Sequence, residues 1–185
     1  GFGGFRYLNG FPDRPPVRPN LSMGDTLAAL HTALGIVMAC VHKLNDPEKH
    51  GQVIDVAIYE AVYSMLESVV PEYDRGGVVR ECSGSTLTGI VPTNTYRCAD
   101  GKDVIIGANG DSIFKRLCIA MGRPDMGEDP RFASNNDRVE HEPEIDALIE
   151  VWMKTMTGDE ALDCNPPDPG PQTETACTGA PAVGP

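Results

Sequence analysis

Asp25 is the residue of this chain whose type and position best suit it for covalent or acid–base chemistry. It follows Ser22 and Gly24 at the start of a segment in which leucine and valine recur every three or four residues, a spacing typical of an amphipathic helix. A carboxylate in the first turn of a helix faces unpaired backbone N–H groups and the positive end of the helix dipole, and both keep it ionised. Asp25 can therefore act as a nucleophile or a general base, or it can simply cap the helix, since aspartate is preferred there.

The helix that positions Asp25 is predicted over residues 25–44 and ends at the turn signal Asn45-Asp46-Pro47. Because residues three and four apart share one side of a helix, its apolar residues are expected to form a single buried face. That predicted face consists of Leu27, Leu30, Leu34, Val37, Val41 and Leu44.

The segments around this helix are predicted from proline, glycine and alternation signals. Residues 1–20 contain four prolines and are expected to be a loop. Residues 52–57 alternate in the manner of a strand and lead into a second helix over residues 59–70, which is expected to end before Pro71. Residues 72–88, rich in glycine, serine and charge, are typical of a crossing between domains.

The second half of the chain begins with a predicted β-hairpin. Residues 96–98 and 103–107 are the expected strands, with Asp100-Gly101 in the turn. Helices are predicted over residues 113–121 and 143–156. The expected core face of the last helix is Ile145, Leu148, Ile149, Trp152 and Met156.

The composition changes at Asp163. Residues 163–185 hold six prolines and three glycines, without lysine or arginine. Such a segment buries too little apolar surface to offset the entropy of ordering it, so it is predicted to be a disordered tail.

Charge and residue usage exclude several classes of function. A formal net charge of −12 argues against nucleic acid or an anionic membrane as a partner, and no apolar run is expected to span a membrane. The six cysteines form no C-x-x-C pair and the four histidines are scattered, so no metal site is expected. Cys40 and Cys118 lie in helical patterns and are expected to be reduced core residues. The chain begins at Gly1 without an initiator methionine or a signal peptide, so it is expected to be an internal fragment of a longer protein. Its compartment is left open, with the cytoplasm and the mitochondrion as the intracellular candidates.

Four stretches together resemble the class III CoA-transferases, the CaiB/BaiF-type family that includes formyl-CoA transferases. They occur in the family's order and spacing over about residues 9–162. The stretches are residues 15–25, ending in Ser22-Met23-Gly24-Asp25; residues 51–61; residues 92–111; and residues 117–138, which contain Asp129-Pro130-Arg131-Phe132 and close with Asn135 and Arg138.

The resemblance implies an α/β fold, with a fragment of a Rossmann-like large domain and part of a small α+β domain. The implied boundaries are residues 1–70 for the large-domain segment, 71–92 for the linker, 93–162 for the partial small domain and 163–185 for a tail outside the family. It also implies an interlocked homodimer for the full-length protein.

The chemistry implied by the resemblance is CoA transfer from an acyl-CoA to a small carboxylic acid such as formate, oxalate or succinate. Asp25 is the implied nucleophile and carries an aspartyl-CoA thioester, with no metal or resident cofactor and with coenzyme A as co-substrate. A glycine-rich lid in the family matches residues 83–90, where Gly84 and Gly89 are the candidate substrate contacts.

Two alternatives remain open from the sequence. One is the racemase branch of the same superfold, which epimerises 2-methylacyl-CoA by proton transfer and uses a histidine that precedes the matched region. The other is a non-catalytic fragment or degenerate paralogue, inactive by itself.

Overall fold

The structure, a computed structural model, describes residues 1–164 and the backbone of residues 178 and 179. The chain divides into two compact units, residues 1–84 and residues 85–185, and this division lies inside the predicted linker of residues 71–92. The first unit contains helices α1 (Phe5–Leu8), α2 (Met23–Asn45), α3 (Ile58–Tyr63) and α4 (Val69–Gly76).

The long helix that carries Asp25 is confirmed as α2, which begins two residues before the predicted start. Its end follows from the turn chemistry at Asp46, whose carboxylate accepts hydrogen bonds from the backbone N–H groups of His50 and Glu48 at 2.8 and 3.0 Å. These two hydrogen bonds, that from His50 foremost, lower the pKa of Asp46.

The predicted burial of the apolar face of α2 is wrong for the described chain. α2 has no buried residue, and Cys40, expected in the core, is exposed. Periodicity shows which residues share a face but not what covers it. Within residues 1–84, α2 packs against α3 and against Ile54, which lies close to Gly35, and neither covers this face. Five residues of the predicted face are between 53% and 74% exposed: Leu30, Leu34, Val37, Val41 and Leu44.

α2 is also long and apolar enough to cross a membrane by length and composition, with 23 residues and a mean hydropathy of 1.6 in its most apolar stretch. The expectation that no apolar run reaches this length is therefore wrong. The charged residues of α2, Asp25 and Lys43, lie near its two ends and leave an uncharged stretch between them. The central helix of a soluble enzyme meets the same criteria, so length and composition do not assign α2 to a bilayer.

The elements predicted after α2 differ from those observed. Residues 52–57 belong to neither a helix nor a strand, and no other strand lies in residues 1–84 to pair with them. The single helix predicted over residues 59–70 is two helices, α3 and α4, separated by a break in which Glu67 has a positive φ of 50°. Pro71 lies in the first turn of α4, where the missing N–H would have had no partner within the helix.

The predicted loop over residues 1–20 contains one short helix, α1. α1 precedes the prolines that begin at Pro12, so their restriction on the backbone does not reach it. Gly4, with a φ of 82°, makes the left-handed turn that starts α1.

The second unit is an α+β arrangement built on the predicted hairpin, which is confirmed. Strands β1 (Thr93–Arg97) and β2 (Asp103–Gly107) pair antiparallel, with Tyr96 opposite Val104 and Arg97 opposite Asp103. Gly101 adopts a φ of 81° in the turn between them. The elements are β1 (Thr93–Arg97), β2 (Asp103–Gly107), α5 (Asp111–Ala120), α6 (Pro124–Gly127), a 3-10 turn (Pro130–Phe132), α7 (Asn135–Glu140), α8 (Glu142–Met153), α9 (Gly158–Asp163) and β3 (Thr178–Gly179).

The core of the second unit lies between the hairpin and helices α5 and α8. Ile145 and Ile149 of the predicted α8 face are fully buried, while Trp152 is partly buried against the same core. Met153, 1% exposed, also belongs to the core and was not predicted there. The other buried apolar side chains of the cluster include Tyr96, Val104, Ile106, Phe114, Cys118, Met126 and Phe132.

Arg138 of α7 is a fully buried cation in this core. Its Nε donates to the carbonyl of Val91 at 3.0 Å and its Nη1 to the carbonyl of Phe132 at 3.0 Å. Its Nη2 donates to the carbonyl of Asn109 and to Oδ1 of Asp111, the latter at 2.9 Å. A buried charge is tolerated only when it is paired and hydrogen-bonded, and this guanidinium meets both conditions.

Most of the predicted tail of residues 163–185 lies outside the described residues, and its disorder stays a prediction. Two described parts differ from that expectation. Asp163 is the last residue of α9, and β3 pairs antiparallel with β2 opposite Val104 and Ile105. The free edge of β2 presents the unpaired N–H and C=O groups that such an added strand requires.

Candidate functional site

A cavity of about 490 Å³ lies in the first unit at the N-terminal end of α2. Four segments enclose it: the first residues of the chain, the proline-rich loop, the first turn of α2, and α3. Its volume is within the range of small-molecule sites in proteins. The lining residues that matter for chemistry or shape are Phe2, Phe5, Arg6, Arg18, Asp25 and Tyr59.

Two glycines bring the walls of this cavity together. A Cβ at Gly3 would lie 2.7 Å from Cβ of Val62 and 2.9 Å from the carbonyl oxygen of Tyr59, so the N-terminal segment lies directly on α3. A Cβ at Gly24 would lie 2.8 Å from Cγ2 of Ile58, so the start of α2 also touches the start of α3. These distances are shorter than side-chain carbons tolerate, and only glycine allows both approaches.

Asp25 lies in the first turn of α2 and lines the cavity. Ser22, the N-cap residue, makes no side-chain capping bond, and the structure records no hydrogen bond or ion pair for the Asp25 carboxylate with any described residue. The side chain that turns back to the helix start is that of Thr26, whose hydroxyl donates to the carbonyl of Ser22 at 3.1 Å. Asp25 therefore does not use its oxygens as a cap in this structure, and they remain available to a ligand.

Arg6 and Arg18 line the same cavity and were not identified from the sequence. Arg18 is positioned by a hydrogen bond from its Nε to the carbonyl of Pro19 at 3.3 Å. With Asp25, these two arginines are the charged residues among the described lining. One feature of the sequence could have identified Arg18 as a cavity residue: it lies only seven residues before Asp25, in a proline-rich run whose backbone is stiff.

Gly84 and Gly89, the predicted substrate contacts, do not line this cavity. Both have positive φ, of 74° and 82°, as expected for glycines in turns. The N–H of Gly84 donates to the carbonyl of Gly10 at 2.9 Å, and its Cα faces the ring of Phe11. Gly89 belongs to the second unit, where its carbonyl accepts a hydrogen bond from Asn135. Their role in substrate binding stays a prediction.

The histidine nearest to Asp25 in sequence has a packing role. Nδ1 of His31 lies 2.8 Å from the carbonyl of Leu27, and Nε2 lies 3.2 Å from Oγ of Ser64. Since a carbonyl only accepts hydrogen bonds, Nδ1 carries the proton in this arrangement. Among residues 1–164, no group of three or more His, Cys, Asp or Glu side chains is placed to hold a metal ion.

Comparison with known proteins identifies the family. Residues 1–165 match the family model described as CoA-transferase family III. The chain is 46% identical over 158 residues to the succinyl-CoA–D-citramalate CoA-transferase of Chloroflexus aurantiacus, covering 85% of this chain and 39% of that protein. It is 36% identical over 162 residues to the alpha subunit of a succinyl-CoA–L-malate CoA-transferase from the same organism, covering 87% of this chain and 37% of that subunit.

Solved structures agree with this assignment. A CaiB/BaiF family protein from Brucella suis superposes with a TM-score of 0.65 at 28% identity, over 88% of this chain and 42% of that one. A hypothetical protein from Mycobacterium tuberculosis superposes with a TM-score of 0.71 at 21% identity, which shows a shared fold. The chain belongs to CoA-transferase family III, and it spans about two fifths of the length of these relatives. The predicted fold class and the predicted family are thereby confirmed.

Proposed function

We propose that the full-length protein transfers CoA from an acyl-CoA donor to a carboxylic acid acceptor through a covalent intermediate on Asp25. The observation that carries this proposal is the Asp25 carboxylate, which lies in a cavity at a helix N-terminus without a partner among the described residues. Two of the relatives are named for succinyl-CoA as donor and for D-citramalate or L-malate as acceptor, which supports a succinyl donor here.

The proposed reaction is a series of acyl exchanges at carbonyl carbon. An oxygen of Asp25 attacks the thioester carbon, forming a C–O bond and breaking the C–S bond, which gives a mixed anhydride and CoA thiolate. The thiolate then attacks the aspartyl carbonyl carbon and releases the donor acid, leaving an aspartyl-CoA thioester. Each step exchanges one anion for another, so no proton, electron or resident cofactor is consumed.

The acceptor acid completes the cycle in the proposed mechanism. Its carboxylate attacks the aspartyl thioester carbon and forms a second mixed anhydride, with CoA thiolate leaving. That thiolate attacks the acceptor acyl carbon, which releases the new acyl-CoA and restores Asp25. The dipole of α2 stabilises negative charge at this end of the helix in every step, because its first-turn N–H groups lack intrahelical partners.

The relatives support transfer over the racemase alternative, because the two compared above are named as CoA-transferases. His31, the described histidine nearest to Asp25 in sequence, contacts the carbonyl of Leu27 and Oγ of Ser64.

We also propose that α2 is a central helix of the enzyme and not a membrane span. Its exposed apolar residues would be covered by further protein, either of the same polypeptide or of a second subunit in an interlocked homodimer. Asp25 near one end of α2 and Lys43 near the other fit a helix whose N-terminal end opens on a polar site. The net charge of −12 supports neither a nucleic-acid nor an anionic-membrane partner.

Chemical trapping in the full-length protein tests this proposal. The enzyme is incubated with succinyl-CoA and then with hydroxylamine, which converts an aspartyl thioester or anhydride to a hydroxamate, and the digest is analysed by mass spectrometry. We expect the modification on Asp25, and we expect Asp25→Asn to abolish both the modification and transfer. Asp55→Asn is the matched control, because Asp55 is an exposed carboxylate of the same unit outside the cavity. An active Asp25→Asn variant, or a hydroxamate on another carboxylate, would contradict the proposal.

A further inference from the structure

The cavity around Asp25 contains two positive charges that the described protein does not neutralise. Arg6 is exposed on α1, and Arg18 uses one nitrogen, Nε, for the carbonyl of Pro19. The structure records no ion pair between either guanidinium and a carboxylate of the described residues. Both side chains are therefore free to bind an anion inside the cavity.

An arginine without an ion pair is unusual within the described chain, in which carboxylates outnumber cations. Arg75 also has no ion pair recorded with a described residue, but it does not line this cavity. Six other arginines are each within ion-pair distance of a carboxylate: Arg14, Arg80, Arg97, Arg123, Arg131 and Arg138. Two unpaired arginines at one cavity thus mark a place for a negatively charged ligand.

The reacting carboxylate determines which part of a ligand can reach these arginines. The thioester carbon must contact Asp25, so the group that fills the cavity around it is the acyl group. The phosphates of CoA are separated from the thioester by the whole pantetheine arm. An acyl group supplies an anion close to its thioester when it is derived from a dicarboxylic acid. A guanidinium matches such a carboxylate with two parallel N–H donors.

We propose that Arg18, assisted by Arg6, binds the free carboxylate of a dicarboxylic acyl group and makes the enzyme selective for dicarboxylic over monocarboxylic donors. This inference rests on the proposed role of Asp25 as the acyl-carrying nucleophile. The two arginines are specificity-determining residues: they hold the far end of the acyl group, while Asp25 attacks its thioester carbon.

The test compares two donors of equal carbon number in the full-length enzyme, succinyl-CoA and butyryl-CoA, which differ in the terminal carboxylate. The measured quantity is the ratio of their kcat/KM values. We expect Arg18→Gln to lower this ratio about tenfold or more, since the substitution removes charge-assisted hydrogen bonds to the terminal carboxylate, which only succinyl-CoA carries. Arg6→Gln should lower the ratio by a smaller factor, and Arg18→Lys should restore part of it.

Arg14→Gln is the matched control, because Arg14 lies on the same loop, pairs with Asp13 and does not line the cavity. Its ratio should equal that of the unmodified enzyme. An unchanged ratio in Arg18→Gln would overturn the proposal. An equal loss with both donors would also overturn it and would assign Arg18 to the CoA moiety or to folding.

Hydroxylamine trapping separates this inference from the proposed function on which it rests. If Asp25 is labelled by both acyl-CoAs in the unmodified enzyme while the donor ratio is insensitive to Arg18, the selectivity proposal fails and the nucleophile proposal stands. If Asp25 is labelled by neither donor, the nucleophile proposal fails, and the selectivity proposal fails with it.

Discussion

Replacing Arg138 by methionine is expected to destabilise the second unit. Methionine keeps most of the side-chain length but donates no hydrogen bond. The substitution removes the four hydrogen bonds that the guanidinium makes to three backbone carbonyls and to Asp111. It also removes the contact with the ring of Phe114, whose centroid lies 4.8 Å from the guanidinium carbon. The segment before β1, the 3-10 turn and the start of α5 all lose their shared partner in this core.

The magnitude follows from which acceptors stay buried. The carbonyls of Val91 and Phe132 belong to buried residues, and a buried acceptor left unpaired costs about 1–3 kcal/mol. Asn109 and Asp111 are exposed and can bond water instead. The cation–π contact adds about 0.5–2 kcal/mol. Methionine also avoids the desolvation penalty of the buried guanidinium, and this gain offsets about 1–4 kcal/mol of the loss. The net loss is expected to be about 3 kcal/mol, a large fraction of the 5–15 kcal/mol by which domains are stable.

Hydrogen–deuterium exchange of the full-length protein measures this loss in the second unit alone. The slowest amides in peptides from β1 and α7 should exchange about 100-fold faster in Arg138→Met, since 1.4 kcal/mol is a factor of ten. Arg97→Met is the matched control: Arg97 pairs with Asp103 on the surface of the hairpin, and such exposed pairs contribute about 0–1 kcal/mol. Arg138→Lys should fall between them, because an ammonium cannot reproduce the guanidinium geometry. Equal exchange rates in Arg138→Met and Arg97→Met would refute the proposed contribution of the network.

Two further perturbations test the cavity wall and the second core. Gly3→Ala should lower the free energy of unfolding by about 1–3 kcal/mol and raise KM, because the added Cβ overlaps Val62 and displaces the N-terminal segment from α3. Gly51→Ala is the control: the space around Gly51 is open, so this variant should change neither quantity. Burial raises the pKa of the Cys118 thiol to about 11 from 9.0. The unfolded thiol therefore ionises first, and the stability that the neutral thiol contributes below pH 9 should be lost as pH rises from 9 to 11. Between pH 9 and 11, Cys118→Ala should lose less free energy of unfolding than the unmodified protein does. If unfolding of the two proteins depends identically on pH, the raised pKa of Cys118 is contradicted.

The elements that could be predicted from the sequence are those determined by local chemistry. α2 follows from a periodic apolar run between Ser22 and the Asx turn at Asp46. The hairpin follows from alternation on both sides of Asp100-Gly101. Two short helices were missed although their capping boxes are visible in the sequence: Ser134 with Asp137 starts α7, and Thr157 with Glu160 starts α9.

What could not be predicted depends on contacts between distant parts of the chain. The alternation of residues 52–57 predicted a strand, but a strand forms only where a neighbouring strand accepts and donates its backbone hydrogen bonds. Periodicity in α2 located an apolar face without saying what covers it. The cavity arginines were missed for the same reason, since Arg6 lies nineteen positions before Asp25 and only the packing of Gly3 on α3 brings its segment to the same cavity.

The two interpretations of Asp25, helix cap and nucleophile, make opposite demands on its carboxylate. A cap accepts hydrogen bonds from first-turn N–H groups, and replacing such a cap by alanine costs about 0.5–2 kcal/mol. A nucleophile needs an oxygen lone pair that no protein donor occupies, at a place where charge remains stabilised. The structure records no donor to Asp25 within the described residues, while α2 still directs its positive end toward the cavity. Asp25→Asn should therefore change the free energy of unfolding by less than about 1 kcal/mol, the typical helix-dipole contribution of one charge, and abolish transfer. An Asp25→Asn variant that keeps full transfer activity would restore the cap interpretation, because asparagine caps a helix as well as aspartate does.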